Sequence, residues 1–113
     1  MAGDIVFMNN RVWSSSSATF EDVMALAIRR CPGGETVLVQ LLSKANRIRC
    51  LSIGRCPDRN VQLVLTECVL EAAQDKLQEL RAVPTTHPED IRILEDLVTM
   101  AKAHLSELRD HPT

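Results

Sequence analysis

The chain has 113 residues, a length typical of one domain, and we expect residues 1–113 to form a single unit. Hydrophobic residues make up 45% of the chain, which excludes intrinsic disorder, and aromatic residues make up only 3%, which disfavours nucleic-acid binding by base stacking. The formal net charge is −2. No apolar run approaches the ~20 residues of a membrane span, and the N-terminal segment MAGDIVFMNN lacks the basic start of a secretion signal. A cytoplasmic protein without membrane contact is therefore predicted.

The first elements predicted along the chain are a short strand and an amphipathic helix. The strand is expected around Arg11–Trp13, with the serine run after it as a loop. Thr19 is the predicted cap of the helix, and the sequence Cys-Pro-Gly-Gly ends it. The helix has one apolar face, formed by Phe20, Val23, Met24, Ala27 and Ile28.

Three further strands are predicted in the middle of the chain. The run TVLVQLL at residues 36–42 is almost continuously apolar, which is typical of a central strand covered on both faces. Residues 47–53 alternate between polar and apolar side chains, which predicts a hairpin partner for it. Residues 61–65 are interpreted as another strand.

The last part of the chain predicts two helices. Thr66 is the expected cap of the first, whose apolar face includes Val69, Ala72, Ala73, Leu77 and Leu80. The second begins near Pro88, and Glu89 and Asp90 in its first turn complement the helix dipole. The predicted fold class is α/β (α+β), a small mixed sheet with about three amphipathic helices packed on it.

The charge is distributed unevenly along the chain. Residues 29–59 contain seven basic residues against Glu35 and Asp58, a local charge of +5, so the rest of the chain carries −7 of the total of −2. Such asymmetry can mark a surface that binds an anion or an acidic partner. The candidate binding residues are Arg47, Arg49, Arg55 and Arg59, of which Arg47 and Arg49 should share one face of the predicted hairpin strand.

The cysteine pattern argues against a structural zinc site. Cys31, Cys50, Cys56 and Cys68 form no C-x-x-C pair, and no histidine lies at zinc-finger spacing from them. Cys50 and Cys68 lie in apolar segments and are expected to be small buried hydrophobic residues. We expect all four to be free thiols.

Three segments of the chain resemble the JAB/MPN metallopeptidase fold, and more closely its bacterial RadC-type branch. The segment GGETVLVQLLSKANRI is similar to the family segment in which a catalytic Glu opens a strand. PTTHP is similar to the family's His-x-His-Pro segment, and EDIRILEDLVTMAKAHLSELRDH to its Asp-led helix. The resemblance covers about Arg11 to His111 and implies a JAB/MPN-like fold.

The resemblance also implies a zinc site. Glu35 corresponds to the family's general base, His87 to its second metal-binding His and Asp90 to its metal-binding Asp. Thr85 stands where the family has its first metal-binding His, and the loop between His87 and Asp90 is much shorter than in the family. Because a catalytic zinc takes three protein ligands, we expect no cofactor or at most a weakly bound zinc.

Three functions follow from these features. The first is a degenerate RadC-type domain, a pseudoenzyme that acts mainly as a protein-interaction module and binds a protein partner or its own copy as a homodimer. The second is an active zinc-dependent isopeptidase or peptidase that uses Glu35, His87 and Asp90. The third is a nucleic-acid-associated adaptor that uses the arginine-rich hairpin. Metal content would separate the enzyme from the interaction module, and salt-dependent binding to nucleic acid would identify the adaptor.

Overall fold

The fold combines a small sheet with long helices, in a computed structural model that describes residues 2–31 and 36–110. In chain order its elements are β1 (Ala2–Val6), β2 (Val12–Ser16), α1 (Ser17–Arg29), α2 (Thr36–Ile48), β3 (Cys50–Ser52), α3 (Arg59–Arg81) and α4 (Pro88–Asp110). The mixed α+β class is confirmed, with four helices in the described residues where about three were predicted.

The sheet has the strand order β2-β1-β3. Strands β1 and β2 form an antiparallel hairpin, whereas β1 and β3 are parallel. Ile5 at the centre lies opposite Trp13 on one side and Leu51 on the other. A parallel pair needs a crossover connection, and here it contains α1 and α2.

The hairpin turn explains the asparagine pair in the sequence. Phe7 N–H donates to the Arg11 carbonyl at 2.8 Å and closes the turn. Asn9 and Asn10 have φ values of 62° and 59°, in the left-handed region that Asn tolerates better than most residues. The predicted strand at Arg11–Trp13 is therefore the start of β2, and β1 was not predicted.

One face of the sheet is covered by helices. Ile5, Trp13 and Leu51 are buried on that face, while Ser14 and Ser16 on the opposite face are exposed. Helix α1 packs against β1, α2 and α3, and α4 packs against α3 and β2. The Trp13 indole N–H donates to the Ile93 carbonyl at 2.8 Å, which fastens α4 to the sheet.

Helix α1 confirms the predicted helix and corrects its start. The cap is Ser16, whose side-chain oxygen accepts from the Thr19 main-chain N–H at 3.3 Å. Thr19 lies inside the first turn, and three of the serines predicted to form a loop belong to β2. Phe20, Val23, Met24 and Ala27 are buried, as the periodicity predicted.

The predicted central strand at residues 36–42 is wrong, because these residues begin α2. Leu38, Leu42 and Ala45 are buried at the spacing i, i+4 and i+7, which is one face of a helix. Leu41 and Ile48 lie outside that face and are exposed. Together with Val37 and Val39, Leu41 makes the run at residues 36–42 look continuous, and a short continuous run does not distinguish a helix from a buried strand.

Two other strand predictions are also wrong. Of residues 47–53, only Cys50–Ser52 form a strand, and it pairs with β1 in parallel instead of forming a hairpin with residues 36–42. Residues 61–65 belong to α3, which Asp58 caps by accepting from Asn60 N–H at 2.9 Å. Thr66, the predicted cap, is therefore buried in the middle of that helix.

Helices α3 and α4 have 23 residues each and pack along each other. The predicted start of α4 at Pro88 is confirmed, and Leu94, Ala101 and Leu105 are buried on one side of the helix. Within the described residues, no helix is both long enough and apolar enough to cross a membrane.

Candidate functional site

His87 and Asp90, the residues implied as metal ligands, lie at the start of α4. The His87 ring Nδ1 accepts a hydrogen bond from Glu89 N–H at 3.2 Å, and the His87 carbonyl accepts from Asp90 N–H at 3.1 Å. His87 thus acts as a cap that satisfies main-chain N–H groups of the first turn. Both side chains are exposed.

The implied zinc site stays a prediction, because only part of it lies in the described residues. Glu35 lies outside the described residues, whereas His87 and Asp90 lie within them at the start of α4. No group of three or more His, Cys, Asp or Glu side chains in residues 2–31 and 36–110 is arranged to hold a metal ion. We therefore derive no chemistry through zinc.

The prediction that Arg47 and Arg49 share one strand face is wrong. Arg47 belongs to α2, and Arg49 follows the helix with a φ of 60°, a conformation common just after a helix C-terminus. The Arg49 guanidinium forms an ion pair with Glu21 of α1 and donates to Asn46 Oδ1 at 3.0 Å. Arg49 therefore fastens the end of α2 to α1.

The other two candidate arginines, Arg59 and Arg55, have different surroundings. The Arg59 guanidinium donates to the Leu108 carbonyl at 2.6 Å and joins the start of α3 to the end of α4. Arg55 belongs to a short 3-10 turn, Ile53–Arg55, and is exposed. Arg55 lines a groove that Lys44 also lines.

We call this feature the basic-rimmed groove. It lies between α2, β3 and the segment leading into α3, and its volume is about 280 Å³. Its lining residues are Leu41, Lys44, Ala45, Ile48, Cys50, Leu51, Ser52, Arg55, Cys56, Pro57 and Leu65. The lining is mostly apolar, and both charged residues in it, Lys44 and Arg55, are basic.

Two exposed aliphatic side chains of α2 contribute to the apolar lining of the groove. Ile48 is 62% exposed and Leu41 is 38% exposed, so two large aliphatic side chains of one helix face water. They lie seven residues apart, two helical turns, on the same side of α2 as Lys44. The excess of apolar residues over those needed for one buried face was the sequence signal for this surface.

The thiols do not supply an activated nucleophile in the core. All four cysteines are free, and Cys68 is buried as predicted, whereas Cys50 is half-buried at the groove. Burial raises the pKa of the Cys68 thiol to about 12, and burial also raises the pKa of its neighbour Cys31. A reactive cysteine needs a lowered pKa, so neither is a candidate for catalysis.

A buried polar cluster between α3 and α4 was missed by the sequence analysis. The Thr66 hydroxyl donates to the Gln62 carbonyl at 2.7 Å and lies 2.9 Å from His104 Nδ1. Because its proton is directed to Gln62, Thr66 accepts from His104 Nδ1–H, which leaves Nε2 as an acceptor. Within the described part of the chain this Nε2 has no hydrogen-bond partner. The His104 position within the apolar stripe of α4 was the available signal.

Burial holds His104 in the neutral form. Its side chain is 1% exposed and its ring packs edge-on against Phe7, with centroids 5.1 Å apart. Burial is the main cause that lowers the His104 pKa; the charge of Glu107 opposes this and the charge of Arg11 adds to it. The ring is closed to solvent, and its contacts join α4 to α3 and to the hairpin turn.

The lowered His104 pKa predicts a loss of stability in mild acid. In the unfolded chain His104 takes up a proton as the pH falls through its ordinary value of about 6.5, whereas the folded protein resists protonation. The free energy of unfolding should therefore fall below this pH, by at most about 1.4 kcal/mol per pH unit from this group.

Urea titrations between neutral and mildly acidic pH test this expectation. His104→Gln, although less stable overall, should show a weaker pH dependence than the wild type because it lacks the titrating group. His87→Gln, which changes an exposed histidine, is the matched control. Equal pH dependence of the wild type and His104→Gln would contradict the expectation.

Comparison with known proteins identifies no relative, since no family model, curated protein or solved structure matches the chain. The JAB/MPN resemblance therefore remains a sequence-based hypothesis.

Proposed function

We propose that the protein is a protein-interaction module whose basic-rimmed groove binds a partner segment that carries apolar and acidic side chains. The observation that carries this proposal is the exposure of Ile48, 62%, beside a groove whose charged lining residues are both basic. Exposed apolar surface bounded by polar residues commonly marks an interaction site.

The two components of the groove have different roles in binding. Covering Leu41 and Ile48 removes apolar area from water and supplies the favourable free energy. Lys44 and Arg55 at the rim attract acidic groups, which favours the correct partner and speeds its association. An amphipathic helix, with apolar residues on one side and carboxylates beside them, combines both chemistries.

The geometry supports this function better than the other two. Arg49 and Arg59 are engaged in contacts within the chain, so the arginines do not form the continuous strand face expected of the nucleic-acid adaptor. Of the implied catalytic residues, His87 and Asp90 are exposed at the start of α4, and Glu35 lies outside the described residues. The groove is formed by α2, β3, α3 and the segment between β3 and α3, and its presence does not depend on the JAB/MPN resemblance.

A designed peptide tests the proposal. The probe is a short amphipathic helix with leucines on one face and glutamates on the other, and its counterpart carries lysines in place of glutamates. Fluorescence anisotropy should show that the wild type prefers the glutamate peptide by at least about tenfold, or ~1.4 kcal/mol. Ile48→Ser should weaken binding by a similar factor because it removes exposed apolar area from the groove.

Val83→Ser is the matched control, since Val83 is also an exposed aliphatic residue, at 47%, and lies outside the groove. It should bind the glutamate peptide as the wild type does. Equal binding of both peptides, or no effect of Ile48→Ser, would contradict the proposal. Salt-dependent binding to DNA or RNA that Arg55→Glu abolishes would favour the adaptor instead.

A further inference from the structure

Strand β2 lies at the edge of the sheet, and its outer side is open. Phe7 N–H donates to the Arg11 carbonyl, so main-chain groups at this position of the hairpin point toward the partner strand. Along an antiparallel pair, successive residues direct their N–H and C=O groups alternately toward and away from the partner strand. The N–H and C=O groups of Val12 and Ser14 therefore point away from β1. On β1, Asp4 N–H follows the same alternation and donates across to the Arg49 carbonyl.

The open edge lacks the features that normally prevent strand addition. Edge strands are usually protected by lysine, proline or a bulge, and β2 has the sequence VWSSS and a regular register with β1. No residue in the described ranges forms a main-chain hydrogen bond with Ser14 from the outer side. Val12 at the same edge is 49% exposed.

A shallow groove of about 330 Å³ runs beside this edge. Its β2 side is formed by Val12, Trp13 and Ser14, and its other side by residues of α4: Ile93, Asp96, Thr99 and Met100. Asp96 is the one charged residue among them. An added strand would therefore lie next to a mainly uncharged helix face.

We infer that β2 pairs with β2 of a second copy of this chain, antiparallel about a two-fold axis at Ser14, to form one continuous sheet. Such a contact is isologous, so each Ser14 N–H meets the Ser14 carbonyl of the other copy. This inference is independent of the groove proposed above, because β2 and α4 do not line that groove.

Charge favours a second copy as the occupant. Residues 12–16 carry no charged side chain, so the axis brings no like charges together. Arg11 at the end of the strand is already paired with Glu107 at 2.9 Å. A second copy also presents a strand that is already ordered, whereas a free peptide must lose its conformational freedom on binding.

The groove beside the strand adds apolar contact to the main-chain pairing. Val12, Ile93 and Met100 line it, so a second copy seated there covers apolar side chains of both β2 and α4. Specific interfaces bury about 800 Å² per partner on average, and a contact limited to one strand edge and this groove is smaller, so a weak dimer is expected.

Charge-swap variants at Ser14 test the axis directly. Sedimentation equilibrium of the full chain should give twice the monomer mass of 12.6 kDa at high protein concentration. Ser14→Lys and Ser14→Glu should each be monomeric, because two like charges then face each other across the axis. An equimolar mixture of the two variants should regain the dimer mass.

Gln40→Lys is the control, since it adds the same charge at an exposed position of α2, a helix that does not line the groove beside β2. It should remain dimeric, and circular dichroism should show that all variants are folded. A wild type that is monomeric at high concentration would overturn the inference. A monomer that binds an extended peptide would overturn it as well, because the occupant of the edge would then be a peptide and not a second copy. Dimers that persist in Ser14→Lys, or a mixture that stays monomeric, would also overturn it.

Discussion

Replacing Leu42 with Asp is expected to unfold the protein under conditions in which Leu41→Asp leaves it folded. Leu42 is 0% exposed in α2, whereas Leu41, its neighbour, is 38% exposed. Loss of a buried leucine side chain costs about 2–5 kcal/mol, and an unpaired buried carboxylate adds to this cost. The total approaches the free energy of unfolding of a typical domain, about 5–15 kcal/mol.

Urea titrations followed by circular dichroism give the measurement. Leu41→Asp should lower the free energy of unfolding by less than about 1 kcal/mol, because its carboxylate reaches water. A strand covered on both faces would instead make the two substitutions similarly damaging. Equal losses would therefore contradict the helical assignment of residues 36–48.

Gly54→Ala is expected to lower the free energy of unfolding by about 3 kcal/mol, the upper part of the range for overpacking. A Cβ atom at Gly54 would lie 2.5 Å from the Phe7 carbonyl carbon and 2.6 Å from Met8 N. Both are main-chain atoms of the hairpin turn, so no side-chain rotation can relieve the contact. The turn and the 3-10 segment would have to separate.

Ser52→Ala is the control for this substitution, because Ser52 is exposed, already has a Cβ atom and lies two residues away. It should change the free energy of unfolding by less than about 0.5 kcal/mol. If Gly54→Ala were equally mild in thermal and urea unfolding, the close approach of the two turns would be contradicted.

The helices with one apolar face were predictable from the sequence. In α1 and α4, apolar residues recur on one side and polar residues occupy the other, which gives the period of a helix directly. Helix α2 is also apolar on one broad side, where Leu41 and Ile48 border the buried Leu38, Leu42 and Ala45. Its period was missed because the apolar run at residues 36–42 covers only about two helical turns and was interpreted by itself.

The start of α3 was missed for a different reason. The segment 61–66 is rich in branched aliphatic residues, which are typical of a strand. The stronger signal was Asp58 after Pro57, since Asp accepts hydrogen bonds from the first N–H groups of a helix. Packing against α1 and α4 then outweighs the local preference for a strand.

The candidate site was the least predictable part. The basic-rimmed groove combines residues from α2, β3 and the segment leading into α3, and its assembly depends on the parallel pairing of β3 with β1. The sequence located the basic segment but could not separate Arg55, at the groove, from Arg49, which is paired with Glu21. Such pairing depends on tertiary contacts.

The central position of β1 affects the order in which the protein can fold. Its register with β3 joins Asp4 to Cys50 and Val6 to Ser52, a separation of 46 residues in each pair. Its hairpin with β2, by contrast, closes over the short turn at Phe7–Arg11, and α3 and α4 close over an equally local connection. Loop closure over a longer distance costs more entropy, so the hairpin and the α3–α4 pair should form before β3 joins β1 and before α4 docks on β2, where Trp13 and Ile93 are 80 residues apart.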